Sequence, residues 1–202
     1  IDRIEANQKE LGIACEFRRL EGHLFHAPGT DPGILDREYE ATRKLGMPVF
    51  REKGVPFAGQ ALTPSLRYPD QATFHPLKYL AGLAAAIRNA GGRFYAETTV
   101  EKVAENDNGV EVTTAGGHAV TAKHAVIATN SPINDRYAIH TKQAPYRTYA
   151  MAFSLPPDSL ADGLYWDTLE AYHYVRLQRG SGNSDILIVG GGDHKTGEAD
   201  DA

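Results

Sequence analysis

The run GGGDHKTG, residues 190–197, places three glycines ahead of a lysine and a threonine, the residue types with which a loop cradles phosphate. A phosphate loop needs glycine immediately before its lysine, and His194 stands there, which excludes a nucleoside-triphosphatase reading. The run AVIATNSP, residues 125–132, sets an apolar stretch ahead of Ala128, Thr129 and Asn130. Ligands of open α/β sheets sit beyond the carboxyl ends of strands, where small residues let the backbone come close, so this run predicts a ligand-facing strand end. Tyr172 and Tyr174 lie two apart in AYHYVRL, which on a strand puts both rings on one face and His173 on the other. Such a pair offers both ring and hydroxyl to the wall of a small-molecule pocket. His23 and His26, three apart on a strand-like stretch, point to opposite faces, and His75 before Pro76 reads as a helix cap. Cys15, beside Ala14 and near Phe17, reads as a buried, inert thiol, and no metal site is expected.

The elements that must position these residues follow from periodicity. Ile1, Ile4 and Leu11 predict the tail of a helix, and CEFRRL and HLFHA predict two strands around a Glu21-Gly22 turn. DPGILDREYEATRKLGM predicts a helix with Asp31 as N-cap, Pro32 in its first turn and Gly46 as its stop. HPLKYLAGLAAAIRNAGG predicts a second helix starting at Pro76, with Leu77, Leu80, Leu83, Ala84 and Ile87 as its apolar stripe and Gly91-Gly92 as its end. The β-rich RFYAETTV leads from it into a meander that turns at Asn108-Gly109 and Gly116-Gly117. The last strand of that meander, 125–129, does not alternate, so it is expected to be covered on both faces, as in a parallel sheet. YRTYAMAFSLP, AYHYVRLQ and DILIVGGG predict an antiparallel sheet. The fold class is therefore α/β (α+β), in segments 1–74, 75–132 and 133–202.

Composition narrows the function. With 42% hydrophobic and 23% charged residues the chain reads as globular, and a net charge of −5 lacks the basic footprint of a nucleic-acid binder. No stretch nears the roughly 20 apolar residues of a membrane span, and the N-terminus has no apolar leader core. One cysteine fits a reducing compartment, so a cytoplasmic location is expected.

The order FHPLKYLAGLAAAIRNAGGRFYAETTVEKV, meander, KHAVIATN resembles the FAD-dependent amine and amino-acid oxidoreductases of the D-amino-acid oxidase and sarcosine oxidase type, over most of the chain. YHYVRL, ILIVGGGDHKTG and ATNSP most resemble a bacterial subgroup whose flavin domain is followed by a Rieske iron–sulfur domain. The resemblance implies a partial FAD-binding layered core plus a substrate domain, with the first and third segments in the latter. It implies that Val100 gives a backbone contact to the adenine of FAD, and that Ala128, Thr129 and Asn130 end beside the cofactor. Asn130 stands where glycine is usual, and asparagine tolerates the left-handed conformation best among the other residues. It further implies that Tyr172, Tyr174 and His194 face the flavin as the catalytic group. A [2Fe-2S] cluster would belong to a fused Rieske domain, because its cysteine–histidine pairs do not occur here.

Members of that family open with a G-x-G-x-x-G turn seating the FAD pyrophosphate on a helix N-terminus, and this sequence has none. The chain is therefore expected to be the central piece of a longer enzyme and not to retain FAD by itself. The intact protein would move a hydride from a C–N bond of an amine or amino-acid-like substrate to the flavin. A non-catalytic α/β module binding a small molecule or a protein, and a flavoprotein of another class, are the alternatives.

Overall fold

Segments far apart in the chain meet in one sheet. The computed structural model describes residues 1–56, 62–130, 143–180 and 182–197. In chain order the elements are α1 (Asp2–Glu10), β1 (Arg18–Phe25), α2 (Ile34–Lys44), β2 (Phe50–Glu52), β3 (Ser65–Thr73), α3 (Pro76–Asn89), β4 (Val100–Asn106), β5 (Gly109–Thr114), β6 (Ala119–Ala122), β7 (Tyr146–Leu155), β8 (Leu164–Asp167), β9 (His173–Gln178) and β10 (Asp185–Lys195). They divide into two compact units, residues 1–86 with 146–202, and residues 87–145.

The first unit is built on a seven-stranded sheet in the order β2-β3-β1-β8-β9-β10-β7. Its pairs are antiparallel except β1 with β8, which run parallel. Register places Tyr68, Gly22, Leu164 and Arg176 side by side across four strands. The neighbouring row on the same face holds Leu66, Leu24, Trp166, Tyr174 and Gly190. Helix α2 covers the β3–β1 end of this face, packing Ile34, Leu35 and Tyr39 on a cluster of Leu24, Val49, Leu66 and Tyr68, with Trp166 at its margin. The opposite face buries Tyr165, Val175 and Leu177 against Val55 and Leu160. A third cluster, Ile13, Cys15 and Tyr79, holds α1 and α3 together, and Cys15 is 1% exposed.

Several local expectations change. Gly22 is not a turn: β1 runs through it as one strand, with its register to β3 shifting between Leu20 and Gly22. Helix α2 starts at Ile34 with Gly33 as N-cap, because the Asp31 carboxylate takes the Gly33 N–H at 2.9 Å and pairs with Arg37, leaving Pro32 outside the helix. Helix α3 begins at Pro76 as expected, and His75 Nδ1 accepts the Lys78 N–H at 3.4 Å. Its buried side is that of Tyr79, Gly82 and Leu83, while Leu77, Leu80 and Ile87 are exposed. A Cβ on Gly82 would stand 2.5 Å from Ile13, so the missing side chain lets the helix press close there.

The second unit carries the expected meander, in the order β4-β5-β6. RFYAETT lies outside any strand, since β4 begins at Val100. Residues 124–130 form no strand either, and Val126 is 89% exposed, contrary to the covered strand expected at 125–129. A non-alternating strand is stabilised by neighbours on its edges and layers on both faces, and the described residues of its own unit supply none.

Candidate functional site

The site grows from two aromatic residues and two glycines. Trp166 on β8 faces Tyr174 on β9, and their rings lean in opposite directions. Trp166 lies over β1, where a Cβ on Gly22 would come within 2.9 Å of the indole. Tyr174 lies over β10, where a Cβ on Gly190 would come within 2.3 Å of the phenol ring and hydroxyl. The glycines of GGGDHKTG thus serve close packing: Gly191, at φ 140°, brings its backbone against Tyr172 and His173, and the β10–β7 register shifts between Gly191 and His194.

A cavity of about 700 Å³ opens on this face of the first unit, with Leu24, Ile34, Trp166, Tyr172 and Tyr174 among its lining residues. That volume is in the range of small-molecule sites. Its polar lining includes Arg176, Glu38 and Asp167. The Nη1 atom of Arg176 is buried without a hydrogen-bond partner among the described residues. Leaving such a donor unpaired costs about 1–3 kcal/mol, so the side chain gains from any shift that brings it an acceptor. Oε1 of Glu38 accepts the Tyr68 hydroxyl at 3.2 Å and the Thr42 hydroxyl at 3.4 Å. Burial raises the pKa of Tyr68 above its usual 10, and burial pushes Tyr165, beneath the sheet, up to about 12.

Asp167 is saturated. It is 8% exposed, its Oδ1 accepts the N–H groups of Leu169 and His173 at 3.1 Å each, and its Oδ2 lies 2.9 Å from His173 Nδ1. One carboxylate therefore closes the loop that carries Tyr172. Next to it, the Thr168 hydroxyl accepts the Ala27 N–H and meets the Thr30 hydroxyl, both at 2.9 Å.

The structure brings together two of the residues singled out from the sequence. The rings of Tyr172 and Tyr174 are 6.3 Å apart at 45°, both lining the cavity, and His173 turns to Asp167. His194 stands elsewhere: it stacks on Tyr149 with centroids 5.1 Å apart, holds its Nδ1 3.0 Å from the Gly192 carbonyl, and is not part of the cavity lining. In the second unit, Val100 is half-buried at the start of β4 opposite Thr114, while Ala128, Thr129 and Asn130 lie exposed beyond any strand. Sequence reasoning missed Trp166, Glu38 and Arg176. Arg176 was within reach, because it follows Tyr174 by two on the same strand and so shares its face.

Among the described residues no group of three or more histidine, cysteine, aspartate or glutamate side chains could hold a metal ion, and no helix is long and apolar enough to cross a membrane. A family profile described as FAD dependent oxidoreductase matches residues 1–202. The chain is 28% identical over 200 residues to a protein of Bacillus subtilis (strain 168) named as a putative Rieske 2Fe-2S iron-sulfur protein, YhfW; the match covers 98% of this chain and 38% of that one. Among solved structures, glycine oxidase from Geobacillus kaustophilus shares the fold with a TM-score of 0.67 at 20% identity, covering 96% of this chain and 53% of the other. L-proline dehydrogenase from P. horikoshii does so with a TM-score of 0.67 at 16% identity, over 99% of this chain and 56% of the other. The chain thus spans little more than a third of the curated relative and just over half of these structures.

Proposed function

Because the chain belongs to the FAD-dependent oxidoreductase family, we propose that the whole protein oxidises an amine or amino-acid-like substrate by hydride transfer to FAD, and that the cavity of the first unit is the substrate's seat. The observation that carries this reading is Arg176, whose buried Nη1 has no acceptor among the described residues, in the lining of a cavity walled by Trp166, Tyr172 and Tyr174. A guanidinium binds a carboxylate through paired N–H donors, and flat rings wall off an apolar body. Together these groups would fix one end of an amino acid and keep water from its carbon skeleton.

The cofactor's own seat is not built by the described residues. They offer no glycine turn at a helix N-terminus to hold a pyrophosphate, and Ala128, Thr129 and Asn130 lie on an exposed run. This reading therefore gives the chain the substrate side of the reaction, with Val100 and the 128–130 run contacting FAD once the rest of the protein surrounds them. The name of the Bacillus subtilis relative supports a fused Rieske iron–sulfur domain as a partner.

The test is made on the full-length flavoprotein. Arg176→Gln should raise the KM for an amino-acid substrate by about 10- to 100-fold, the scale of one charged hydrogen bond, with a smaller change in kcat. Tyr174→Phe should slow flavin reduction in stopped flow more than it lowers thermal stability. An unchanged KM in the first variant, with unchanged reduction in the second, would remove the substrate from this cavity.

A further inference from the structure

The cavity carries two opposite charges that, among the described residues, pair neither with each other nor with any other charged group. Arg176 and Glu38 both line it, and neither forms an ion pair among the described residues. Asp167, the remaining carboxylate of the lining, is consumed by two backbone N–H groups and His173. Register explains why the charges stay apart. Arg176 on β9 and Tyr68 on β3 stand in one row, with Leu164 and Gly22 between them. Three inter-strand steps separate them, about 14 Å of sheet. Glu38 is tied to the far end of that row through the Tyr68 hydroxyl, and its Oε2 has no hydrogen-bond partner among the described residues. Between the ends the surface is mostly apolar, with Leu164, Leu24, Ile34 and the indole of Trp166, and the Gln71 side chain lies beside the indole over Gly22.

We propose that Glu38 is a specificity-determining residue that selects substrates with a cationic group remote from the carboxylate held at Arg176. The preferred ligand is an elongated zwitterion in which several methylene groups separate an anionic end from an ammonium or guanidinium end. A simple α-amino acid has its two charges too close together to meet both residues. An apolar chain of that length leaves the exposed Glu38 carboxylate to water and gains nothing from it, and a dicarboxylate is repelled by it. The proposal rests on the cavity being the substrate's seat.

Binding calorimetry on the full-length holoenzyme separates the two ideas, with 6-aminohexanoate, hexanoate and adipate as probes of equal chain length. The wild type should bind 6-aminohexanoate about fivefold tighter than hexanoate, or ~1 kcal/mol, the upper end for a solvent-accessible ion pair. Glu38→Gln keeps an acceptor for the Tyr68 hydroxyl and should bring that ratio to about one. Glu38→Lys should reverse the order in favour of adipate. Arg176→Gln should weaken all three probes together. A wild type that treats 6-aminohexanoate and hexanoate alike, or a Glu38→Gln protein that keeps the preference, overturns the role of Glu38 while leaving the seat intact. Failure of every probe to bind the wild type overturns the seat and the specificity together.

Discussion

The two units of this chain use apolar residues in opposite ways. In the first, strands β1, β3, β8, β9 and β10 are closed by three buried clusters, one on each face of the sheet and one under α3. In the second, the meander β4–β6 leaves most residues at the surface, and Val126 and Ile127 are exposed beyond it. The sequence is no less apolar at 125–128 than in many stretches of the first unit. What differs is the supply of partners. The sheet of the first unit receives strands from residues 18–73 and 146–195, each paired with a neighbour, although its edge strand β7 leaves Tyr146, Tyr149, Met151 and Phe153 exposed. The run at 124–130 has no strand of its own unit beside it among the described residues. Hydrophobicity marks a residue for burial, but only a second surface buries it.

Truncating the core of the first unit gives the largest expected effect. Leu177→Ala removes a side chain that is 1% exposed and should cost about 2–5 kcal/mol in denaturant unfolding. A loss below about 1 kcal/mol would mean that the sheet is looser than its packing indicates.

A smaller effect comes from His23 on β1, 5% exposed and stacked on Tyr165 with ring centroids 5.4 Å apart. Burial holds its pKa below the ordinary 6.5; Glu21 and Glu52 oppose that shift, and Arg67 reinforces it. The unfolded chain therefore takes up a proton near pH 6.5 that the folded chain accepts only at lower pH. This contribution to stability is complete above that value and fades as pH falls toward the folded pKa. His23→Phe keeps a ring against Tyr165 and removes the titration, so its stability relative to wild type should improve between pH 7 and pH 5. Parallel stability curves for the two proteins would show that His23 does not titrate differently on folding.

The smallest effect belongs to the second unit. Val126→Thr should change the stability of the chain by less than about 0.5 kcal/mol, the range of ordinary surface sites. A loss comparable to that of Leu177→Ala would erase the contrast between the units.

Local periodicity was the readable part. It located α2, α3, the meander and the strands around Tyr174 and Ile188, because each of these depends on spacing within a short window. The parallel pairing of β1 with β8 joins residues about 140 positions apart, and no local window contains it. Gly22 conceals its role for the same reason. It resembles a turn residue along the chain, and neither it nor Gly190, which the sequence places on a strand, shows that a ring from the next strand lies on it. The tyrosine pair of the candidate site was legible from its spacing of two. Glu38 was not, since it reaches the cavity only through α2 lying across β3, a contact set by tertiary packing. The run at 125–129 has a composition that asks for cover, and composition does not say where the cover comes from.

The leaning rings of Trp166 and Tyr174 make cavity width adjustable from positions that a ligand never touches. Gly22 and Gly190 lie outside the cavity lining, one strand beyond each ring. A single methyl at either glycine would lift its ring from the sheet and narrow the opening, while Arg176 and Glu38 kept their places. In a lineage built on this sheet, the bulk of the admitted molecule and the charges it must carry could therefore evolve by separate substitutions.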